Sequence, residues 1–263
     1  MKFIKKLSLL LTIILYTNII SAQIITKPEP ISGKSLTKHF IQQHLVYPEK
    51  ALAEKKGGKI TVSFTVDKNG NAYNHHVIDG FDSSCIEEAI HLVKLIQWKP
   101  ATNNYLPIDY EHEYIVEFSP KSYLKNIDKN KNKNIPTQEY PSEKSYKIYN
   151  YKELDKAPKP FFNNQNISFS SYLKSELRYP DQAKEFEISG SVKLNFIIET
   201  DGKVSNIVIE NSVGGGCDNE AIRLIQDLSW IPGIKNDSLV RTQTTQEIIF
   251  QFGERTYHDG NLY

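Results

Sequence analysis

Six of the seven histidines, His39, His44, His75, His76, His91 and His112, fall in the first half of the chain, enough in number to suggest a metal site. Their placement argues against one. His75 and His76 are adjacent in an alternating stretch and point to opposite faces of a strand. Positions 132 residues downstream of His75, His76, His91 and His112 hold Ile207, Val208, Arg223 and Thr244, which cannot repeat a histidine site. No metal and no cofactor is assigned. Asp128, Asn130, Asn132 and Glu139 fit positions 1, 3, 5 and 12 of a calcium loop. Lys133 stands where that loop needs glycine, and Lys129 and Lys131 add repulsion, so the match is read as a coincidence of an Asn/Lys-rich stretch. Cys85 and Cys217 occupy equivalent positions at the start of two expected helices. They suit a disulfide, a pair of small packed residues, or thiols made reactive by a helix N-terminus. No nucleophile–base pair, paired carboxylates or phosphate loop recurs as a set, so no enzyme is expected.

The elements that must position these residues come from an ordinary globular composition. Of 263 residues, 39% are hydrophobic and 24% charged, enough to build packed cores. Thirty-two basic against 31 acidic residues leave no field to attract nucleic acid, and none is expected as a partner. The chain opens with Met-Lys-Phe-Ile-Lys-Lys, an apolar run from Leu7 to Ile20, and Ser21-Ala22. That is the pattern of a signal peptide, residues 1–22, cleaved after Ala22. The expected location is therefore periplasmic. The alternative is an uncleaved inner-membrane anchor with the rest of the chain facing the periplasm.

Self-similarity organises the rest. At an offset of 132, Tyr47-Pro48 recurs as Tyr179-Pro180, and Ala51, Gly58, Phe64 and Gly70 recur as Ala183, Gly190, Phe196 and Gly202. Cys85, Glu88-Ala89-Ile90, Trp98 and Pro100 recur as Cys217, Glu220-Ala221-Ile222, Trp230 and Pro232. The chain is a tandem duplication, with copies at 34–119 and 166–253 and a tail at 254–263.

Each copy predicts the same succession. Leu36, Phe40 and Ile41, matched by Phe169, Tyr172 and Leu173, recur at helical spacing. Pro48 and Pro180 suit the first turn of a short second helix. Ile60, Val62, Phe64 and Val66 alternate with polar residues, as do Val192, Leu194, Phe196 and Ile198. Asn69-Gly70 and Asp201-Gly202 are hairpin turns. A longer helix follows, with Ser84 and Glu87 at capping-box spacing and a stripe of Ile86, Ala89, Ile90, Val93 and Ile96, ended by Trp98-Lys-Pro100. A last strand alternates as His112, Tyr114, Val116 and Phe118, and as Ile248, Phe250 and Phe252. The fold expected is α+β: two small domains, each an antiparallel three-stranded sheet with helices on one face. Residues 121–165, rich in Lys, Asn, Tyr and Pro without a sustained apolar period, are read as a linker.

This combination of Tyr-Pro, strand, Asp/Asn-Gly turn, Glu-Ala-Ile helix and Trp-x-Pro resembles the C-terminal domain of TonB, in both copies. The Gly-Gly-Gly-Cys-Asp-Asn-Glu-Ala run at 214–221 is especially like the Bacteroidetes versions. The resemblance implies binding of a short receptor segment as an added strand on a sheet edge, and so a role in TonB-dependent transmembrane transport. The implied partner is an outer-membrane TonB-dependent receptor or another envelope protein.

Such docking needs an edge that is not blunted. The last strand of copy one carries Glu111, Glu113 and Glu117, whereas that of copy two carries Gln243, Thr245, Gln246 and Gln251. Copy two is therefore expected to dock the peptide through Gln243, Thr245, Gln246, Ile248, Ile249 and Phe250. Tyr47, Pro48, Tyr179 and Pro180 are read as structural staples or a groove rim, and Trp98 and Trp230 as core anchors. The alternative function is a structural envelope protein whose edges pair in a homodimer or rest on the cell wall.

Overall fold

The computed structural model describes residues 24–130, 139–162 and 167–253. The expected signal peptide, the 254–263 tail and most of the calcium-like stretch lie outside the described residues.

Copy one begins with two short strands, β1 (Ile25–Thr26) and β2 (Glu29–Pro30), then helices α1 (Gly33–His44) and α2 (Glu49–Ala53). The hairpin β3 (Gly58–Val66) and β4 (Ala72–Asp79) precedes helix α3 (Ser83–Leu95). Short strands β5 (Trp98–Lys99), β6 (Ala101–Asn103) and β7 (Leu106–Ile108) then lead into β8 (Tyr110–Phe118). The main sheet is antiparallel in the order β4-β3-β8. Ile60, Val62, Phe64, Val66, Val116 and Phe118 point from it into a core closed by Ala89, Leu92 and Val93 of α3. The period-two and period-3.6 stripes of the sequence are what this contact requires.

Helix α4 (Pro120–Asn130), β9 (Ile148–Asn150), a 3-10 turn (Tyr151–Glu153) and β10 (Lys159–Phe161) occupy the stretch read as a linker. Copy two follows with α5 (Phe169–Glu176), α6 (Asp181–Glu185), β11 (Gly190–Ile198), β12 (Val204–Asn211), α7 (Cys217–Asp227), β13 (Ser229–Ile231), β14 (Gly233–Lys235) and β15 (Ser238–Phe250). Its sheet runs β12-β11-β15-β14, with β9 added in parallel to β15, so it is larger than the three strands expected.

Several local expectations are corrected. The cap of α3 is Asp82, whose side chain accepts from the amides of Ser84 and Cys85 at 3.1 and 3.4 Å; Ser84 lies inside the helix. Pro48 and Pro180 precede their five-residue helices as N-caps. The Trp-x-Pro segments lie beyond the helices and place their tryptophans in short strands: Trp98 pairs with Pro30, and Trp230 with Pro160. The turn at Asn69-Gly70 forms as read. A Cβ on Gly70, at φ 88°, would sit 2.3 Å from the carbonyl oxygen of Trp98, so only glycine fits. Two of the three readings of the cysteines, the disulfide and the activated thiol, are also corrected. Cys85 and Cys217 are free, each enclosed in the core of its own copy, so no bridge can join them. Burial pushes the Cys85 thiol up to about 11 and raises that of Cys217, so neither is an activated nucleophile.

The copies dock head to tail. The C-terminal ends of α1 and α3 in copy one meet β12 and the turn before it in copy two. Asn206 accepts from the amide of Gln97 at 2.7 Å and donates to the carbonyl of Leu95 at 2.9 Å. Lys203 donates to the carbonyl of Gln43 at 2.9 Å, and His44 stands 3.3 Å from Asp201. Arg241 donates to the carbonyls of Leu95 and Tyr146 at 2.8 and 3.0 Å. Unpaired carbonyls at a helix end are satisfied by donors from the other copy.

Candidate functional site

The repeated residues resolve first into structural roles. Tyr47 donates its hydroxyl to the carbonyl of Lys56, and Tyr179 donates to Ile188 at 2.6 Å, the same nine-residue loop closure in each copy. Glu88 accepts from the amide of Val46 at 2.8 Å, and Glu220 from that of Arg178 at 2.7 Å, tying the residue before each Tyr-Pro to the long helix. The two glutamates differ in company. Glu220 is ion-paired with Arg223, whereas burial pushes Glu88 up to about 7. Trp98 and Trp230 are buried in their cores, and each indole N–H lacks a partner among the described residues.

The copies diverge beside those tryptophans. In copy one the rings of His112 and Tyr114 cover Trp98, at centroid distances of 5.2 and 5.7 Å, and His75 stacks on Phe64 at 5.3 Å. In copy two the positions of His112 and Tyr114 hold Thr244 and Gln246. The space the rings would fill opens as a groove of about 900 Å³, lined by Phe169, Trp230, Pro160, Tyr151, Thr244 and Gln246. The hydroxyl of Thr244 is buried without a partner among the described residues. A buried polar atom left unpaired costs about 1–3 kcal/mol, and a ligand group entering the groove could relieve that cost.

The groove flanks a strand edge. On one side β15 pairs with β11 from Thr242 to Phe250. On the other, β9 pairs with it in parallel, but only from Arg241↔Ile148 to Gln243↔Asn150, where the chain turns into the 3-10 segment. From Thr244 to Phe250 the outer margin has no strand partner among the described residues. Alternation splits the side chains: Gln243, Thr245, Glu247 and Ile249 are on the exposed face, while Ile248 and Phe250 are in the core.

The expected contact residues are therefore only partly brought together. Thr245, Gln246 and Ile249 lie accessible along the open margin. Gln243 already faces Asn150, and Ile248 and Phe250 can offer only backbone. Sequence reading passed over Glu247, an exposed carboxylate that accepts from Ser191, in describing this edge as neutral. It also passed over Phe169, Thr244, Pro158 and Pro160 as groove residues. A signal for β10 was present: Pro28-Glu29-Pro30 recurs as Pro158-Lys159-Pro160, at an offset of 130. Among the described residues, no three His, Cys, Asp or Glu side chains are grouped to hold a metal ion.

The family model for the C-terminal domain of the Gram-negative bacterial TonB protein matches twice, at residues 43–120 and 175–252, more than half of the chain. The chain belongs to the TonB C-terminal family. This is a family of envelope domains associated with TonB-dependent transport and with interaction at outer-membrane receptors. Among solved structures, the chain is similar to the Helicobacter pylori TonB C-terminal domain (residues 179–285 of that protein) at 18% identity. That alignment covers 32% of this chain and 77% of the other, with a TM-score of 0.26. It is similar to the Pseudomonas aeruginosa TonB C-terminal domain at 24% identity over 37% of this chain and 89% of the other, with a TM-score of 0.28. No curated protein sequence matches the chain. Among the described residues, no helix is long and apolar enough to cross a membrane.

Proposed function

We propose that the chain is a non-enzymatic periplasmic adaptor that engages an extended segment of an outer-membrane receptor by strand addition to β15 of copy two. The observation that supports this reading most is where β9 stops. It occupies the outer margin of β15 only to Gln243, and the margin continues beside a groove with a buried, unpartnered hydroxyl. An added strand gains backbone hydrogen bonds along Thr244–Ile249. Its alternate side chains enter the groove over Trp230 and Phe169 or lie on the open face beside Thr245 and Ile249. An apolar or aromatic residue suits the first set, with one donor or acceptor for Thr244.

Copy one serves as an accessory domain. Its β8 edge presents Glu111, Glu113 and Glu117 on the exposed face, and its groove is filled by His112 and Tyr114. Charges on an edge strand discourage further pairing. Hydrogen exchange of the whole chain, with and without peptides from the periplasmic plug segments of receptors in the same envelope, tests the assignment. Protection should appear at amides 244–249. Protection along 110–118 instead, or none at either edge, overturns it.

A further inference from the structure

The duplication supplies an internal control for a second surface, remote in role from the β15 groove. In each copy a two-residue turn joins a short hairpin: Asn104-Tyr105 between β6 and β7, and Asn236-Asp237 between β14 and β15, all four residues at positive φ. A preceding segment runs beside each hairpin, Ile24–Thr26 in copy one and Asp155–Lys156 in copy two. The backbones match, but the surfaces do not. The tip in copy two is polar: Asp155 accepts from Lys235 at 2.9 Å and from the amide of Asn236 at 2.7 Å. The tip in copy one exposes Ile24 (50%), Ile25 (52%), Tyr105 (80%) and Leu106 (70%) together.

The cluster is ordered by register. Ile25 is opposite Asn103, and Asn103 opposite Leu106, so the two apolar side chains share a face. Ile24 and Tyr105 extend past them at the end, where Ile24 accepts from the Asn104 amide and its own amide is held by the Asn104 side chain at 3.0 Å. One residue further from the tip the row becomes Thr26, Thr102 and Pro107. The hairpin is a small wedge, greasy at its point and with two threonines at its waist.

We propose that this tip is a foot that rests on a phospholipid bilayer surface. The adjoining chain identifies the occupant. The apolar run Leu7–Ile20 ends four residues before Ile24, a reach of about 14 Å at full extension. In the form that keeps that run as an uncleaved inner-membrane anchor, the tip is held at the same interface. A tyrosine beside aliphatic residues suits that boundary, since its ring is apolar and its hydroxyl stays wet. Copy two, with no apolar segment near its tip, carries Asp237 and Ser238 at the positions of Tyr105 and Leu106.

Flotation with vesicles tests the proposal, using the chain from Gln23 onward so that residues 1–22 contribute nothing. Two compositions serve as probes: phosphatidylethanolamine with phosphatidylglycerol, and phosphatidylcholine alone. The chain should float with both, because the contact is apolar. The double variant Tyr105→Asp, Leu106→Ser, which borrows residues copy two uses in the same turn, should lose about tenfold or more of the bound fraction. Its thermal midpoint and its exchange pattern at 244–249 should match the parent, which separates loss of the foot from misfolding or loss of the groove. In a Tyr105→Trp variant, vesicles should shift the added fluorescence to the blue. A parent chain that stays at the bottom of the gradient, or a double variant that floats equally well, overturns the proposal.

Discussion

Arg241 grips Glu199 with two parallel hydrogen bonds, Nε to Oε2 at 2.7 Å and Nη2 to Oε1 at 2.8 Å, and both side chains are almost wholly buried, at 6% and 4% exposed. The same guanidinium reaches the carbonyl of Leu95 in the other copy. One side chain thus fixes the start of the pairing segment of β15 and the seam between the copies.

Breaking this pair by Arg241→Met should cost about 3–5 kcal/mol, because Glu199 is left buried and uncompensated. The double variant Arg241→Met, Glu199→Leu should recover most of the loss, since an apolar pair can replace a buried ionic one. Denaturant midpoints of the three chains, parent, single and double variant, measure both steps. A single variant as stable as the parent would show that the pair is dispensable.

Glu88 should give stability a pH dependence opposite to that of most carboxylates. Burial raises it to about 7 in the folded chain from its ordinary 4.5, against the pull of the Val46 amide and of His44 and Lys203 nearby. Between those two values the folded chain holds a proton that the unfolded chain releases, so this contribution weakens as pH rises from about 4.5 to about 7. Glu88→Gln keeps an acceptor for Val46 and removes the titration. Unfolding midpoints across that range should fall less steeply for the variant than for the parent.

The thiols should be silent in the native state. Cys85 and Cys217 are buried, and their thiolates are disfavoured by that burial and by Asp82 and Asp218. Alkylation should therefore proceed at the rate of opening, and reduced and unreduced chains should carry the same two free thiols by mass. Rapid labelling of either thiol in the folded chain would contradict this enclosure.

Recreating the charge pattern of copy one on copy two should abolish docking. Thr245→Glu with Ile249→Glu places two more carboxylates beside Glu247 on the exposed face of β15. Peptide affinity should fall at least tenfold, about 1.4 kcal/mol, with little change in stability because both side chains are exposed. Calorimetric titration of the intact chain reads the difference.

Much of this was legible in the residues because it repeats. The Tyr-Pro staples, the Asn69-Gly70 turn, the alternating strands and the tryptophan anchors each follow from a local rule and appear twice. What escaped was non-local. The pairing of β9 with β15 and of Pro30 with Trp98 joins segments with no periodic pattern, and strands of two or three residues are too short to show one. The groove could not be read from Thr244 alone. It is the absence of two rings at sites where the other copy has them, and it emerges only when His112 and Tyr114 are seen lying on Trp98. The cysteines left three readings open because equal positions in two repeats allow a partnership, whereas the fold places each at the heart of its own unit.

The junction between the copies has a plug and a socket. Gln43, His44 and Leu95 belong to the plug, and Glu199, Asp201, Lys203, Asn206 and Arg241 to the socket. At the socket's counterpart in copy one stand Asp67, Asn69, Asn71, Asn74 and Asp109, and at the plug's counterpart in copy two stands Glu176 where His44 would be. Apart from Asn74, which keeps the asparagine of Asn206, these residues differ from their counterparts, so transposing the order of the two copies along the chain would leave both faces unmated.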